Sequence, residues 1–261
     1  MLDDLYAGSV ADAATRSQSV TVQQLERLIS NQSPALDSLT VFESNSSVNV
    51  IAEIKRASPS RGDLAPIPDP AALARLYQNS GASAISVLTE QRKFKGTLDD
   101  LKAVRNAVSL PILRKDFIAN EYQILEARAF GADLVLLIVA GLNHPQLRHL
   151  FDFIESFGMQ ALVETHSAEE VKIAADLGAK IIGVNARNLR TFETDLRLFE
   201  NLISLIPSDS LAIAESAIRT VSDVENYAIH GAQGVLVGEA LVTGEPDSLI
   251  RSFAAVAKHR I

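Results

Sequence analysis

Four Gly-Ala pairs, beginning at Gly81, Gly131, Gly178 and Gly231, each stand between a stretch of helical periodicity and an apolar, strand-like run. Glycine ends a helix in the left-handed conformation at least cost, so these pairs mark joints between helix and strand. Short β-rich runs occupy 48–54, 82–88, 110–113, 133–138, 160–163, 181–184, 211–214 and 234–237, and the Gly-Ala pairs precede the second, fourth, sixth and eighth of them. The runs are nearly continuous in apolar residues, as strands buried on both faces must be, and helical stretches separate them. Strands alternating with helices imply parallel pairing through crossover helices. A two-unit period over eight strands predicts an α/β fold, a closed (β/α)8 TIM barrel spanning 47–261. An open doubly wound sheet would normally carry a glycine-rich phosphate loop after its first strand, and neither GxGxxG nor GxxxxGK[ST] occurs.

Residues 1–46 precede the first strand and are predicted to form an N-terminal helical extension. Val22, Leu25, Leu28 and Ile29 recur at helical spacing with Thr21 placed to start the segment. The pattern supports one or two helices, then a loop through 34–47. Within the barrel, Asp69-Pro70 offers an N-cap followed by a first-turn proline, and Ser167 to Glu170 has the form of a capping box.

Composition narrows the function. Net charge is −8 over 261 residues, which disfavours a nucleic-acid surface of the usual basic kind. No apolar run approaches the length of a membrane helix, and the acidic start Met1-Leu2-Asp3-Asp4 is not that of a signal peptide. The absence of cysteine removes disulfides and thiolate metal sites, and the five histidines lack metal-ligand spacing. These features lead us to expect a cytoplasmic protein that uses no metal or cofactor and binds neither nucleic acid nor membrane. It is expected as a monomer or weak homo-oligomer acting on a small anionic molecule.

In a barrel, functional groups gather at the carboxyl ends of the strands. The first strand ends in Glu53 and Lys55, two apart and so on one face, followed by Ser58 in a loop that also carries Arg56 and Arg61. The second is followed by Glu90 and Phe94, the third by Arg114-Lys115-Asp116-Phe117, and the fifth by Glu164. Asn185 and Arg187 follow the sixth, Glu215, Ser216 and Ala217 the seventh, and Gly238-Glu239 the eighth. Each has a plain alternative. Arg114 to Asp116 also reads as an exposed charge run, Glu164 as a cap for the next helix, and Phe94 and Phe117 as core aromatics. Opposed lysines and carboxylates around one desolvated mouth would shift one another's pKa into the range useful for proton transfer. Lys55 and Lys115 suit a substrate carboxylate or carbonyl oxygen. Ser58, Ser216 and the backbone at Ala217 and Gly238 suit a phosphate. A buried lysine equally suits a Schiff-base aldolase.

Several of these stretches resemble indole-3-glycerol phosphate synthase. They are Glu53-x-Lys55-x-x-Ser58-Pro59-Ser60-x-Gly62, Leu88-Thr89-Glu90 with Phe94-x-Gly96, Pro111 to Phe117, Leu162-Val163-Glu164, Gly183-Val184-Asn185-x-Arg187-x-Leu189 and Ala214-Glu215-Ser216. They run in order from about 50 to 240, and the N-terminal helices match that family's extension. The resemblance implies a metal-free lyase of tryptophan biosynthesis that closes the ring of 1-(2-carboxyphenylamino)-1-deoxyribulose 5-phosphate with loss of carbon dioxide and water. It implies Lys115 as general acid on the ribulose carbonyl, Lys55 on the anthranilate carboxylate and as a donor in dehydration, Glu164 as general acid/base, and Glu53 as the group positioning Lys55. It further implies that Asn185, Arg187, Glu215 and Ser216 orient hydroxyls or phosphate and that Phe94 and Phe117 flank the aromatic ring. Two positions depart from the family pattern: Ala217 stands where Gly is common, and Glu239 where Ser is common. The first is expected to strain the phosphate loop, and the second to bring a carboxylate towards it unless its side chain turns outward.

Overall fold

The computed structural model describes residues 2–188 and 193–259. Eight parallel strands close into a barrel: β1 (Asn49–Ile54), β2 (Ala84–Leu88), β3 (Ile112–Lys115), β4 (Leu134–Ile138), β5 (Gln160–Thr165), β6 (Ile181–Asn185), β7 (Leu211–Glu215) and β8 (Gly234–Val237). Closure is made by β1, which pairs with β2 through Ile51 opposite Ala84 and with β8 through Asn49 opposite Gly234. The strands are buried almost throughout, because helices cover the outside and side chains fill the inside. All four Gly-Ala glycines have φ between 80° and 100°, so the left-handed helix ends expected from the sequence are present.

Several strands extend further than the sequence periodicity indicates. The third runs to Lys115 rather than stopping at Leu113, and the fifth, sixth and seventh include Glu164, Asn185 and Glu215. Polar side chains at those positions look like loop residues in sequence. In the barrel they remain in the ladder and point into the mouth, where strand backbone holds them more rigidly than a loop would.

The N-terminal segment forms three helices: α1 (Leu2–Ser17), α2 (Val22–Ser30) and α3 (Ser38–Ser44). Thr21 caps α2 in a full capping box with Gln24. The third helix falls inside the expected loop. It forms because Asp37 caps it by accepting from the Thr40 N–H, while Phe42 is fully buried and its carbonyl accepts from Asn49 Nδ2 at 2.9 Å. The cap is local, but the burial of Phe42 comes from tertiary context. Outside the barrel lie α4 (Pro70–Asn79), α5 (Leu98–Arg105), α6 (Glu121–Ala129), α7 (His144–Ser156), α8 (Ala168–Leu177), α9 (Leu198–Leu202), α10 (Val221–Ile229), α11 (Glu239–Thr243) and α12 (Pro246–Ala254), of which α6, α8 and α11 bear on the site. None of the helices among the described residues is long and apolar enough to cross a membrane.

Candidate active site

At the carboxyl end of the strands lies a cavity of about 1140 Å³, its open mouth included. Lys115 reaches its floor from β3, with Nζ 3.2 Å from Glu53 Oε2 of β1 and 3.1 Å from Glu215 Oε2 of β7. Lys55 bonds the other oxygen of Glu53 at 2.8 Å, which confirms that the two residues share a face. Glu164 of β5 accepts from Asn185 Nδ2 at 3.0 Å. Asn185 Oδ1 in turn accepts from the Ser216 hydroxyl at 2.7 Å and from the Arg187 N–H at 3.0 Å. Five strands thus contribute to one connected polar cluster.

Two glycines make room for it. A Cβ at Gly183 would sit 2.2 Å from Glu215 Oε1, and one at Gly238 would sit 2.3 Å from Glu53 Oε1 and 3.1 Å from Lys55 Nζ. Neither position tolerates a side chain without moving a carboxylate.

Charge in the cluster is unequally distributed. Burial would depress Lys115, but Glu53, Glu215 and Glu164 outweigh it and raise its pKa well above the ordinary lysine value. Burial likewise opposes ionisation of Glu53, yet Lys115 and Lys55 hold its pKa below the usual carboxylate range. Glu215 goes the other way. Burial and the nearby Glu164 carboxylate push it up to about 8 against the pull of Lys115. Two buried carboxyl groups side by side, Glu164 and Glu215, cannot both ionise cheaply, so their protonation divides. The arrangement holds a committed ammonium donor, an ionised acceptor and a carboxyl near neutrality within one cavity.

The walls are aromatic on one side and polar on the other. Phe94 and Phe117 lie 6.1 Å apart between ring centroids, Tyr6 of α1 packs edge-on against Phe117 at 5.6 Å, and Phe94, Phe117 and Leu5 line the cavity. Ser58, Arg187, Ser216, Ala217, Gly238 and Glu239 line the opposite side. Arg187 Nη1 donates to Ser60 Oγ at 3.1 Å, so the loop after β1 meets the one after β6. Leu189, part of one family stretch, lies outside the described residues.

Other residues do not serve as their sequence suggests. Arg56 is turned away from the cavity into a bidentate pair with Asp100, at 2.6 and 2.9 Å. Glu90 is buried and accepts from the N–H groups of Arg92, Lys93 and Phe94, so it shapes the loop carrying Phe94. Arg114 and Asp116, which resembled an exposed run, are both buried behind β3. Glu239 points towards the rim, where it pairs with Arg61 at 2.8 Å and lies 3.8 Å from Arg219. Sequence reasoning missed Leu5, Ile218 and Arg219, which line the cavity, and His166, which lies 3.2 Å from Glu164. Leu5 had no local signal. His166 stands two residues beyond Glu164, one past the end of the strand, and that spacing could have flagged it.

The expected strain at Ala217 is present. Ser216 and Ala217 have φ of 71° and 57°, a left-handed pair at which only glycine is unstrained. Ala217→Gly should relax the loop by up to about 1 kcal/mol, lowering KM by no more than about fivefold with kcat unchanged. An unaltered KM would mean that the loop has already adapted to the methyl group.

Comparison with known proteins agrees with this geometry. The family model for indole-3-glycerol phosphate synthase matches residues 2–253. Curated relatives of that description include one from Leifsonia xyli subsp. xyli, 55% identical over 256 residues, covering 98% of each chain. Another, from Mycolicibacterium gilvum, is 50% identical over 260 residues, covering 99% of this chain and 95% of its own. Among solved structures, N-acetylmannosamine-6-phosphate 2-epimerase from Clostridium perfringens superposes with a TM-score of 0.62 at 18% identity, over 85% of this chain and 98% of its own. Thiamine phosphate pyrophosphorylase from Pyrococcus furiosus gives 0.59 at 14%, over 80% and 94%. At those identities the likeness shows only the shared barrel.

Proposed function

The chain belongs to the indole-3-glycerol phosphate synthase family, and from that premise we propose how its own residues divide the reaction. The enzyme is a carboxy-lyase of tryptophan biosynthesis that converts 1-(2-carboxyphenylamino)-1-deoxyribulose 5-phosphate to indole-3-glycerol phosphate by lysine/glutamate acid–base chemistry. The observation that carries the assignment of roles is Lys115, held as an ammonium between Glu53 and Glu215 at the cavity floor.

Lys115 donates its proton to the ribulose carbonyl oxygen as the aromatic carbon bearing the carboxylate attacks the carbonyl carbon. A new carbon–carbon bond forms, and the electron pair released when carbon dioxide departs restores the aromatic ring. Lys55 holds the substrate carboxylate through the first step, kept in place by Glu53 at 2.8 Å. Dehydration then removes the resulting hydroxyl as water, with a proton supplied from the lysine side of the pocket. Glu164 takes the proton from the adjacent methylene, and the indole double bond forms. Phe94 and Phe117 enclose the aryl ring, while Ser58, Arg187, Ser216 and the backbone of Ala217, Gly238 and Glu239 hold the phosphate end.

The same geometry argues against a Schiff-base nucleophile. A lysine must be a neutral amine to attack a carbonyl, and two carboxylates stabilise the charged form of Lys115. We further propose that the protein works in the cytoplasm as a monomer or weak homo-oligomer, without nucleic-acid or membrane partners, consistent with its acidic composition.

Incubating the protein with the phosphoribulosyl anthranilate should produce indole fluorescence. No signal from the folded wild-type protein would refute the assignment. Borohydride added during turnover should leave no covalent adduct on Lys55 or Lys115; an adduct would restore the Schiff-base reading.

A further inference from the structure

Glu164 has a neighbour that the reaction scheme leaves unused. His166, two residues on and one past the end of β5, places Nε2 3.2 Å from Glu164 Oε1 and Nδ1 3.2 Å from Glu170 Oε2. Glu170 is the third residue of α8. In a closed capping box, a glutamate there returns to the N–H of the N-cap residue. Here Ser167 does its half, its hydroxyl accepting from the Glu170 N–H at 3.2 Å. The Glu170 carboxylate instead reaches one residue further back, accepting from the His166 N–H at 2.8 Å and facing its ring. The helix cap is half-spent on holding this imidazole.

Nδ1 is hydrogen-bonded to Glu170, whereas Nε2 lies at ion-pair distance from Glu164 without a hydrogen bond; a neutral ring donating from Nδ1 would turn its Nε2 lone pair onto that carboxylate, and a second proton removes the repulsion. The imidazolium is mostly enclosed, 12% exposed, with Glu170 19% exposed at its outer side. A charge buried to that degree persists when it is paired, and here it is paired at both ends.

We propose that His166 is a positioning residue for the reaction: bridging Glu164 to Glu170 as an imidazolium, it fixes the orientation of the Glu164 carboxylate and keeps it ionised until the substrate delivers a proton. This deepens the reading above and rests on Glu164 acting there as base. Asn185 hydrogen-bonds Glu164 from β6, and His166 meets it as an ion pair from just past the end of β5, so the carboxylate is held from two sides.

The surrounding charges set the sign of the effect. Lys115 and His166 are the cations facing Glu164, while the Glu215 carboxyl and, more weakly, the Tyr6 hydroxyl face it from β7 and α1; His166 is faced by Glu164 and Glu170. Burial opposes the charge on His166, but the two carboxylates prevail and raise its pKa to about 10. Burial also opposes ionisation of Glu164, and His166, Lys115 and Asn185 together hold it down. Removing the imidazolium therefore raises the Glu164 pKa. Because the ionised form is the working base, the acid side of the rate profile must move to higher pH.

The test combines a direct and a kinetic measurement. Nitrogen-15 NMR of the wild-type protein at about pH 8 should show His166 protonated on both ring nitrogens, where an unperturbed histidine is neutral. In His166→Gln, which keeps one amide donor, kcat should fall about tenfold or more with KM within about threefold, and kcat/KM should begin its acid decline about one pH unit or more above wild type. Glu170→Gln, which retains the acceptor for the backbone N–H, gives a second variant in case the first does not fold. It should return His166 towards ordinary titration. A neutral His166 ring at that pH would overturn the proposal, as would a folded His166→Gln with wild-type kcat and an unmoved profile. If wild type itself fails to turn over the substrate, the functional reading fails, and the NMR measurement still decides whether the charged bridge exists.

Discussion

Lys115→Met should lower kcat by about 10³-fold or more while leaving a folded barrel. The expected loss is large because, in the proposed mechanism, the residue supplies both the proton for the carbonyl oxygen and the positive charge that stabilises the developing alkoxide. The effect on stability is smaller, although a buried cation has been removed from between two carboxylates. Glu53 keeps Lys55 at 2.8 Å, and Glu215, already pushed up to about 8 by burial and Glu164, takes up a proton and becomes neutral. Breaking an ordinary buried ion pair costs about 3–5 kcal/mol because a charge is stranded. Here neither carboxylate is stranded, so the variant should lie within about 2 kcal/mol of wild type in urea unfolding. Steady-state kinetics and denaturation on the same preparation check both halves. A variant retaining a tenth of wild-type kcat would remove Lys115 from the role of general acid, whatever its stability.

The second large effect is opposite in kind. Arg114→Met, one residue earlier, should destabilise the fold by about 3 kcal/mol. Arg114 is completely buried behind β3, with Nη2 3.0 Å from Asp116, Nε donating to Thr89 at 3.0 Å and Nη1 donating to the Gln123 carbonyl at 2.6 Å. The same network reaches α1, because Ser9 donates to Asp116 at 2.8 Å and Arg16 makes two bonds to Glu126. Those partners keep Asp116 and Glu126 partly satisfied, so the expected cost sits at the lower end of the buried-pair range. For a domain of this size that is a fall of about 6–12 °C in Tm. Calorimetry measures it, and a fall below about 2 °C would mean that the network carries little of the attachment of α1 to the barrel.

These two neighbours show where sequence reasoning stops. Arg114, Lys115 and Asp116 read as three consecutive charges, the usual mark of a solvated loop. In the barrel they lie on a strand end, and strand alternation sends Lys115 into the cavity while Arg114 and Asp116 go behind the sheet. Pattern analysis ended the strand at Leu113 because burial of an arginine requires partners, and those partners come from Thr89 just past β2, from α6 and, through Asp116, from α1. The same holds for α3, whose cap is local but whose buried Phe42 is not, and for His166, whose second carboxylate belongs to the next helix. By contrast, the two-residue spacing of Glu53 and Lys55 predicted their shared face directly, since it depends only on strand geometry. The positive φ at Ala217 was legible only through the family resemblance, because glycine is common at that position and alanine itself carries no such signal.

The sequence by itself determined the barrel, through eight apolar runs and four glycine joints, and it named the lysines, glutamates and Asn185 that meet in the cavity. Those features are local: periodicity and backbone preference act over a few residues. Only the tertiary structure decided which charges face one another. It set Lys115 between Glu53 and Glu215, turned Arg56 out towards Asp100, brought Leu5 and Tyr6 of α1 to the aromatic wall, and placed His166 between Glu164 and Glu170. Electrostatic pairing depends on distances between residues far apart in the chain, and closure of the barrel sets those distances.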